Sequence, residues 1–179
     1  MRYLPKFLSA EETRQLQAWL TTSAEICWQR EHFQIFGKQV TAPRQLAWFG
    51  DPGLNYRYTG IDHMAQGWPR ELKALRDRVA SEGCQPFNFV LLNRYRHGGE
   101  HMGWHRDDEQ GSEPSIASVS LGAKRRFRIR PGPGHASKAI DLAPGSLLFI
   151  DGRQQHMLAK TKRPVAERIN LTFRTIHAH

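Results

Sequence analysis

The sequence contains only two cysteines, Cys27 and Cys84, and no CxxC spacing. This excludes a disulfide framework and a thiolate zinc cage, so any metal site must use histidine and carboxylate ligands. Long hydrophobic runs are also absent, because no stretch approaches the ~18 apolar residues of a membrane-spanning helix. The first residues lack the apolar run and cleavage site of a signal peptide. We therefore expect a cytoplasmic protein with no membrane partner.

Acidic residues are outnumbered by basic ones, 17 against 26, which gives a formal net charge of +9. An excess of this size favours a polyanionic partner such as nucleic acid, although a basic but otherwise ordinary surface is the alternative. One basic group alternates along a single face of a predicted strand: Lys124, Arg126, Arg128 and Arg130. A second basic group falls in a predicted loop: Lys160, Lys162 and Arg163.

Chain length and residue pattern predict one domain over 1–179, with helices and a hairpin in 1–85 and a strand-rich core in 86–179. A capping box at 9–12 predicts the start of a first helix, and Pro69 and Gly83 bound a second. Two strand-like runs at 26–36 and 39–49, separated by Gly37 and Lys38, predict the hairpin.

Short strands punctuated by glycine and proline follow Gly83. We place them at about 87–95, 101–106, 115–121, 125–130, 139–142, 146–150, 154–159 and 168–176. This texture predicts an α+β, mainly β protein whose core is an antiparallel sandwich or jelly roll.

His105 and Asp107 form an H-x-D pair on or just after a predicted strand. Residues two apart on a strand point the same way, so both side chains can bind one ion. His156 supplies a third ligand directly after the apolar segment 147–150. Two imidazoles and one carboxylate with open positions opposite are typical of non-haem iron(II) oxygenases. Zinc could occupy the same ligands, so a zinc hydrolase remains an alternative.

The last predicted strand carries alternating polar residues: Arg168, Asn170, Thr172 and Arg174. The intervening residues are apolar and can pack against a core. A small dicarboxylate lying along the polar face would meet a guanidinium near each end. Asn93 and Tyr95 alternate inward on an earlier strand and add neutral hydrogen-bond donors.

Together these motifs resemble the AlkB family of iron(II)- and 2-oxoglutarate-dependent dioxygenases, and the resemblance covers nearly the whole chain. The family implies a double-stranded β-helix, or jelly roll, with a nucleotide-recognition lid built from the N-terminal part. It implies Fe(II) held by His105, Asp107 and His156, with 2-oxoglutarate and O2 as cosubstrates. By this resemblance Arg168, helped by Asn93 and Tyr95, binds the distal carboxylate of 2-oxoglutarate. Two further residues contact its metal-bound end: Asn170 and Arg174.

The resemblance also implies the reaction, which is oxidative removal of N-alkyl groups from bases such as 1-methyladenine and 3-methylcytosine in DNA. The products are succinate, carbon dioxide, formaldehyde and the free base. In the duplex-repairing branch, positions matching Tyr56 and Tyr58 line the base pocket, and Tyr58 stacks on the flipped base opposite the His105 ring. A carboxylate directly after the iron motif would favour a cationic lesion, and we prefer Asp108 over Glu109 for this role.

The segment at 35–38 resembles the hairpin tip that the duplex-repairing branch inserts into DNA, with Phe36 as the wedge residue. Phosphate contacts are expected from one residue after Pro43 and from the second basic group: Arg44, Lys160, Lys162 and Arg163. We expect a monomer that favours methylated duplex DNA. Single-stranded DNA or RNA as substrate, a protein- or small-molecule-directed 2-oxoglutarate oxygenase, and a nucleic-acid-binding module with a vestigial metal triad remain as alternatives.

Overall fold

The computed structural model describes residues 1–35, 38–58, 60–132 and 134–177, without the side chains of 33–35, 38–40 and 58. The described residues form two helices, α1 (Ala10–Thr22) and α2 (Arg70–Gly83). The predicted capping box opens α1, because Ser9 Oγ accepts from the Glu12 backbone N–H and Glu12 accepts from that of Ser9. Neither helix is long and apolar enough to cross a membrane.

The N-terminal half contributes one strand at the start of the chain and five between the helices. These are β1 (Arg2–Leu4), β2 (His32–Ile35), β3 (Lys38–Thr41), β4 (Gln45–Gly50), β5 (Asn55–Tyr58) and β6 (Ile61–Met64). The predicted hairpin is confirmed as the β2–β3 pair, but it is shorter than expected. The second predicted run is broken near Pro43, which has no backbone N–H to donate, and its remainder becomes β4.

The C-terminal half contains the strands predicted after Gly83, with ends within about two residues of the sequence-based bounds. They are β7 (Phe89–Tyr95), β8 (Met102–His105), β9 (Ser115–Gly122), β10 (Arg125–Ile129), β11 (Lys138–Leu142), β12 (Ser146–Asp151), β13 (His156–Leu158) and β14 (Arg168–Arg174). Strand β1 and the β5–β6 hairpin were not predicted. Strand β1 is short and pairs with the distant strand β12. Strands β5 and β6 are also short and pair with each other within a largely polar segment.

Two antiparallel sheets form the core. The major sheet has the order β1-β12-β9-β14-β7-β4, and the minor sheet has the order β11-β10-β13-β8. One face of the major sheet packs against both helices through residues such as Leu20, Leu72, Val119 and Leu171. Its other face and the minor sheet line a common pocket. This two-sheet arrangement confirms the predicted mainly β, jelly-roll architecture.

Candidate functional site

Three metal-ligand side chains converge at one end of the minor sheet. His105 ends β8, His156 begins β13, and the two residues are paired in the β8–β13 register. Asp107 follows β8 by two residues, and its carboxylate lies 3.7 Å from His105 Nε2 and 3.4 Å from His156 Nε2. One potential ligand atom from each residue lies within 4.8 Å of the other two. The predicted triad is therefore assembled in space.

Hydrogen bonds orient both imidazoles for metal binding. Nδ1 of His105 lies 2.8 Å from the Gly103 carbonyl oxygen, and Nδ1 of His156 lies 2.8 Å from that of Gln154. Because a carbonyl oxygen only accepts, each Nδ1 carries the hydrogen, and in the neutral imidazole Nε2 then keeps its lone pair. Both lone pairs can thus be presented to an ion beside Asp107, which is the usual outer-shell arrangement of histidine ligands.

The environment of Asp107 and His105 lowers the pKa of both groups. Burial by itself would raise the pKa of Asp107, but the charge of Arg174, with Nη2 only 2.6 Å away, and the His156 ring lower it overall. Burial also lowers the pKa of His105. Metal ions compete with protons for these groups, so both shifts favour metal binding at neutral pH.

The polar face of β14 lines the pocket directly beside the triad. Arg168 and Arg174 are each 2% exposed, and burial lowers the pKa of Arg168 to about 10. Arg168 Nε and two nitrogens of Arg174, Nε and Nη1, are buried without a hydrogen-bond partner among the described residues. Unsatisfied buried donors are costly unless a ligand accepts from them. A dianionic ligand such as 2-oxoglutarate fits this donor set.

Asn93 and Tyr95 face Asn170 and Arg168 across the β7–β14 register. All four residues line the same pocket as the metal triad. The Asn170 amide nitrogen already donates to Ser118 Oγ and to the Val119 carbonyl oxygen, at 2.6 and 3.1 Å. The structure thus brings together the whole set predicted for the cosubstrate, but it uses the donors of Asn170 within the sheet.

The residues predicted to recognise the base are placed unequally. Tyr56 is buried, with its ring centroid 5.1 Å from the Arg174 guanidinium carbon. The Tyr58 side chain and Phe36 lie outside the described part of the chain. Asp108 is exposed, whereas Glu109 is half-buried with Oε2 3.9 Å from Arg174 Nη1. Glu109 is therefore the carboxylate nearer to Arg174, and the recognition role that we prefer for Asp108 stays a prediction.

Arg44 lies deeper in the fold than its predicted role requires. We predicted a phosphate contact, yet the residue is only 3% exposed and lines the pocket beside the triad. Its Nε donates to Asn93 Oδ1 at 2.7 Å. This position follows from strand register, because β4 pairs with β7 and Leu46 lies opposite Asn93. Register between distant strands is not readable from the sequence.

Both predicted basic groups lie at the surface. The alternating group is exposed around β10: Lys124, Arg126, Arg128 and Arg130. The loop between β13 and β14 exposes the other group: Lys160, Lys162 and Arg163. The inward-facing Arg125 instead lies buried and donates to the carbonyl oxygens of Gly98, Glu100 and Ala159 at 2.8–3.3 Å. Of these basic side chains, the exposed ones are therefore accessible to a polyanion, whereas that of Arg125 is not.

Comparisons with known proteins agree with this geometry. The sequence model of the 2OG-Fe(II) oxygenase superfamily matches residues 1–174. The chain is 41% identical over 157 residues to mouse and human proteins named DNA oxidative demethylase ALKBH2. It is 34% identical over 151 residues to the human alpha-ketoglutarate-dependent dioxygenase alkB homolog 3. These alignments include 80%, 80% and 75% of this chain, but only 66%, 60% and 52% of the respective relatives.

A solved structure has the same fold. The crystal structure of an oxidoreductase of the 2OG-Fe(II) oxygenase family from Burkholderia pseudomallei matches with a TM-score of 0.65 at 14% identity. The match covers 98% of this chain and 84% of that chain. The family uses Fe(II), 2-oxoglutarate and O2, for which the triad and the buried guanidiniums are suited. The chain therefore belongs to the 2OG-Fe(II) oxygenase superfamily and, within it, to the AlkB family that its motifs indicate.

Proposed function

We propose that this protein is a DNA dealkylase that removes N-alkyl groups oxidatively from bases of the 1-methyladenine and 3-methylcytosine type. The observation that carries the proposal is the pocket in which the triad lies beside buried guanidinium donors that have no hydrogen-bond partner in the described part of the chain. The choice of DNA is supported by the 41% identity to proteins named DNA oxidative demethylase. The excess of positive charge is consistent with a nucleic-acid substrate.

In this proposal one face of the pocket holds the metal and the other holds the cosubstrate. His105, Asp107 and His156 bind Fe(II). The 2-oxoglutarate would be held by residues of β7 and β14: Asn93, Tyr95, Arg168 and Arg174. Asn170 would line its binding site, since its amide is hydrogen-bonded within the sheet. Bound Fe(II) supplies the oxidation by O2 that converts 2-oxoglutarate to succinate and carbon dioxide and hydroxylates the N-alkyl group, which then leaves as formaldehyde.

The protein's own contribution is binding, orientation and exclusion of water. Arg174 holds Asp107 anionic through a 2.6 Å contact, while Arg168 is fixed by donating from Nη2 to Ser120 Oγ at 2.9 Å. Apolar side chains complete the pocket wall, among them Leu91, Ile116 and Leu158. A dry wall strengthens the interaction between fixed charges and a dianion because the local dielectric is low.

We further propose that the N-terminal hairpins recognise the base. Tyr56 and Tyr58 would line the pocket, with the His105 ring on the opposite face of the flipped base. Glu109 would favour a cationic methylated base by charge, and Asp108 would lie at the mouth of the pocket. Phe36 would fill the gap left in a duplex. Phosphates would be held by the exposed loop residues: Lys160, Lys162 and Arg163.

Demethylation can be tested directly by reconstituting the protein with Fe(II) and 2-oxoglutarate without oxygen. It is then incubated in air with a duplex oligonucleotide carrying one 1-methyladenine. We expect loss of the methyl group and one formaldehyde per repaired base, both dependent on 2-oxoglutarate. Arg168→Met should abolish the reaction, whereas Arg14→Met, on the exposed surface of α1, should leave it unchanged. Turnover of 2-oxoglutarate without repair of any methylated DNA or RNA would overturn the proposal.

The preference for duplex needs a separate comparison. Phe36→Ala is assayed on the same methylated strand alone, in a duplex and as RNA. We expect the variant to lose more activity on the duplex than on the single strand. An equal loss on both would remove the duplex proposal and leave single-stranded nucleic acid as the substrate.

We also propose that the protein is a single domain that acts as a monomer in the cytoplasm. Gel filtration tests the oligomeric state, and cell fractionation tests the location.

A further inference from the structure

Arg44 occupies a position that the metal and cosubstrate assignments do not explain. It directly precedes β4 and is 3% exposed. Leu46 pairs with Asn93 in the β4–β7 register, and residues two apart on a strand share a face. The Arg44 side chain therefore lies on the pocket face of the major sheet, beside Asn93. A side chain buried there is poorly placed to bind the phosphates of a duplex.

The contact between Arg44 and Asn93 fixes the direction of an amide. Arg44 Nε lies 2.7 Å from Asn93 Oδ1, in a buried hydrogen bond. A guanidinium can only donate, so the amide oxygen of Asn93 must face Arg44. The amide nitrogen is then turned away from Arg44, and it donates to no other described residue. Both of its hydrogens remain for an acceptor in the pocket that Asn93 lines.

Asn170, in the same sheet, has an amide whose hydrogen bonds are formed within the protein. Asn170 pairs directly with Asn93 across β7 and β14. Its nitrogen donates to Ser118 and Val119, and its oxygen accepts from Thr172 Oγ1 at 3.1 Å. Every polar atom of the Asn170 amide is thus used within the protein. Of the two facing amides, only that of Asn93 has donors to offer a ligand.

We propose that Arg44 is a positioning residue for 2-oxoglutarate, which acts by holding the Asn93 amide with its nitrogen toward the cosubstrate carboxylate. The inference rests on the cosubstrate role of Asn93 in the proposed function. Without Arg44 the amide can rotate, and half of its orientations present an oxygen to an anion. Arg44 would then contribute to cosubstrate affinity through Asn93 and not through DNA.

Two substitutions separate the hydrogen bond from the charge. Gln has an amide nitrogen at the same point of the side chain as Arg Nε, so Arg44→Gln keeps the donor and loses the charge. The Met side chain of Arg44→Met extends as far as that of Gln but has no hydrogen-bond donor. The affinity of the Mn(II)-loaded protein for 2-oxoglutarate is measured by titration calorimetry. We expect about tenfold weaker binding for Arg44→Met and at most about threefold for Arg44→Gln.

Arg94→Met is the matched control. Arg94 follows Asn93 on β7, but its Nε donates to Glu167 Oε2 at 2.6 Å and the residue is absent from the pocket lining. We expect unchanged affinity for 2-oxoglutarate in this variant. A loss equal to that of Arg44→Met would mean that any change of charge near the strand weakens binding, and it would overturn the proposal.

A double-mutant cycle tests whether Arg44 acts through Asn93. In an Asn93→Ala background, Arg44→Met should weaken 2-oxoglutarate binding no further. Asn93→Asp, with Arg44 intact, should also weaken binding at least tenfold, because the carboxylate accepts from Arg44 but has no donor for the ligand. This variant keeps the proposal testable if Arg44→Met does not fold.

Three further results would overturn the proposal. One is equal weakening by Arg44→Gln and Arg44→Met, which would assign the effect to charge. Another is unchanged 2-oxoglutarate affinity in both variants with weaker binding of a methylated duplex, which would restore the phosphate contact. The third is unchanged affinity in Asn93→Ala. None of these alters the wild-type demethylation assay, so failure here is distinguishable from failure of the proposed function.

Discussion

The metal pocket and the N-terminal hairpins are positioned by different forces. Each pocket residue of β14 lies on a strand that is hydrogen-bonded on both sides, to β7 and to β9. The β2–β3 and β5–β6 hairpins are separate two-stranded sheets. Near them, the side-chain connections are the buried hydrogen bond between His63 and Glu31 and the ion pair between the partly buried Arg30 and the buried Glu100. Backbone hydrogen bonds of the major sheet thus position the pocket residues of β14. A few polar side-chain contacts position the hairpins that are proposed to recognise the base.

The largest effect should come from the pocket. His156→Ala removes one metal ligand, and we expect 2-oxoglutarate turnover to fall more than about 100-fold, beyond the usual loss for outer-shell partners. His101→Ala is the matched control, since its Nδ1 also lies 2.9 Å from the carbonyl oxygen two residues earlier but it is not part of the triad. Turnover and bound metal are measured together. Retained turnover in His156→Ala would contradict the assignment.

In the hairpins, the His63–Glu31 pair should dominate stability. His63 is fully buried, with Nε2 2.6 Å from Glu31 Oε1 and Nδ1 3.0 Å from the Tyr56 carbonyl oxygen. His63→Leu leaves the 8% exposed Glu31 carboxylate without this partner. We expect the free energy of unfolding to fall by about 3 kcal/mol, because a buried carboxyl group loses its hydrogen-bond partner. Urea denaturation measures the loss.

An exposed pair of equal length provides the control for His63. His177 Nε2 lies 2.6 Å from Glu113 Oε1, but both side chains are about half exposed. We expect His177→Leu to change the free energy of unfolding by no more than about 0.5 kcal/mol, because solvent screens the pair. Equal losses in the two variants would show that burial does not distinguish these connections, and the comparison between the two regions would fail.

Glu100 should have an intermediate effect that depends on pH. Burial by itself would raise its pKa, but hydrogen bonds from the Arg96 backbone and from Arg30 lower it overall, below the usual 4.5. The folded state therefore binds the proton less tightly than the unfolded state. The carboxylate stabilises the fold above about pH 4.5, and this stabilisation is lost as the pH falls through the folded-state pKa.

We expect Glu100→Gln to lower the free energy of unfolding by about 2 kcal/mol at pH 7, since it weakens charged hydrogen bonds. The difference from wild type should shrink as the pH falls below 4.5. Urea denaturation at several pH values gives the profile. Glu11, whose partner Arg14 is exposed with it on α1, provides a control in which Gln should have no measurable effect. If the difference in free energy of unfolding between Glu100→Gln and wild type grew as the pH fell, the prediction would be contradicted.

The smallest effect should come from the outer face of the minor sheet. Arg128 is exposed on β10. If this face touches the DNA backbone, Arg128→Gln should weaken binding to all sequences alike and reduce the slope of log affinity against log salt by about 1. Fluorescence anisotropy at several salt concentrations measures the slope. An unchanged slope would exclude a phosphate contact by Arg128 and leave the hairpins and the β13–β14 loop as the proposed contacts.

Much of the core could be predicted because its information is local. Alternation of polar and apolar residues located β14, and capping and turn residues located both helices. The same alternation placed Arg168 and Arg174 on one face, which the structure confirms. The buried position of Arg44 and the approach of Glu109 to Arg174 were not predicted from the sequence. Their environments depend on how β4 pairs with β7 and on how the segment after β8 turns toward Arg174.

The sequence by itself determined the types of the candidate metal ligands, the order of strands along the chain and the alternating polar face of β14 that lines the pocket. These properties depend on side-chain chemistry and on a period of two, which are local. Only the tertiary structure decided that His105 pairs with His156, that Arg44 reaches Asn93, and that Glu109 approaches Arg174. Such neighbours are chosen by strand register across long separations, because burial of the shared core selects one pairing out of many.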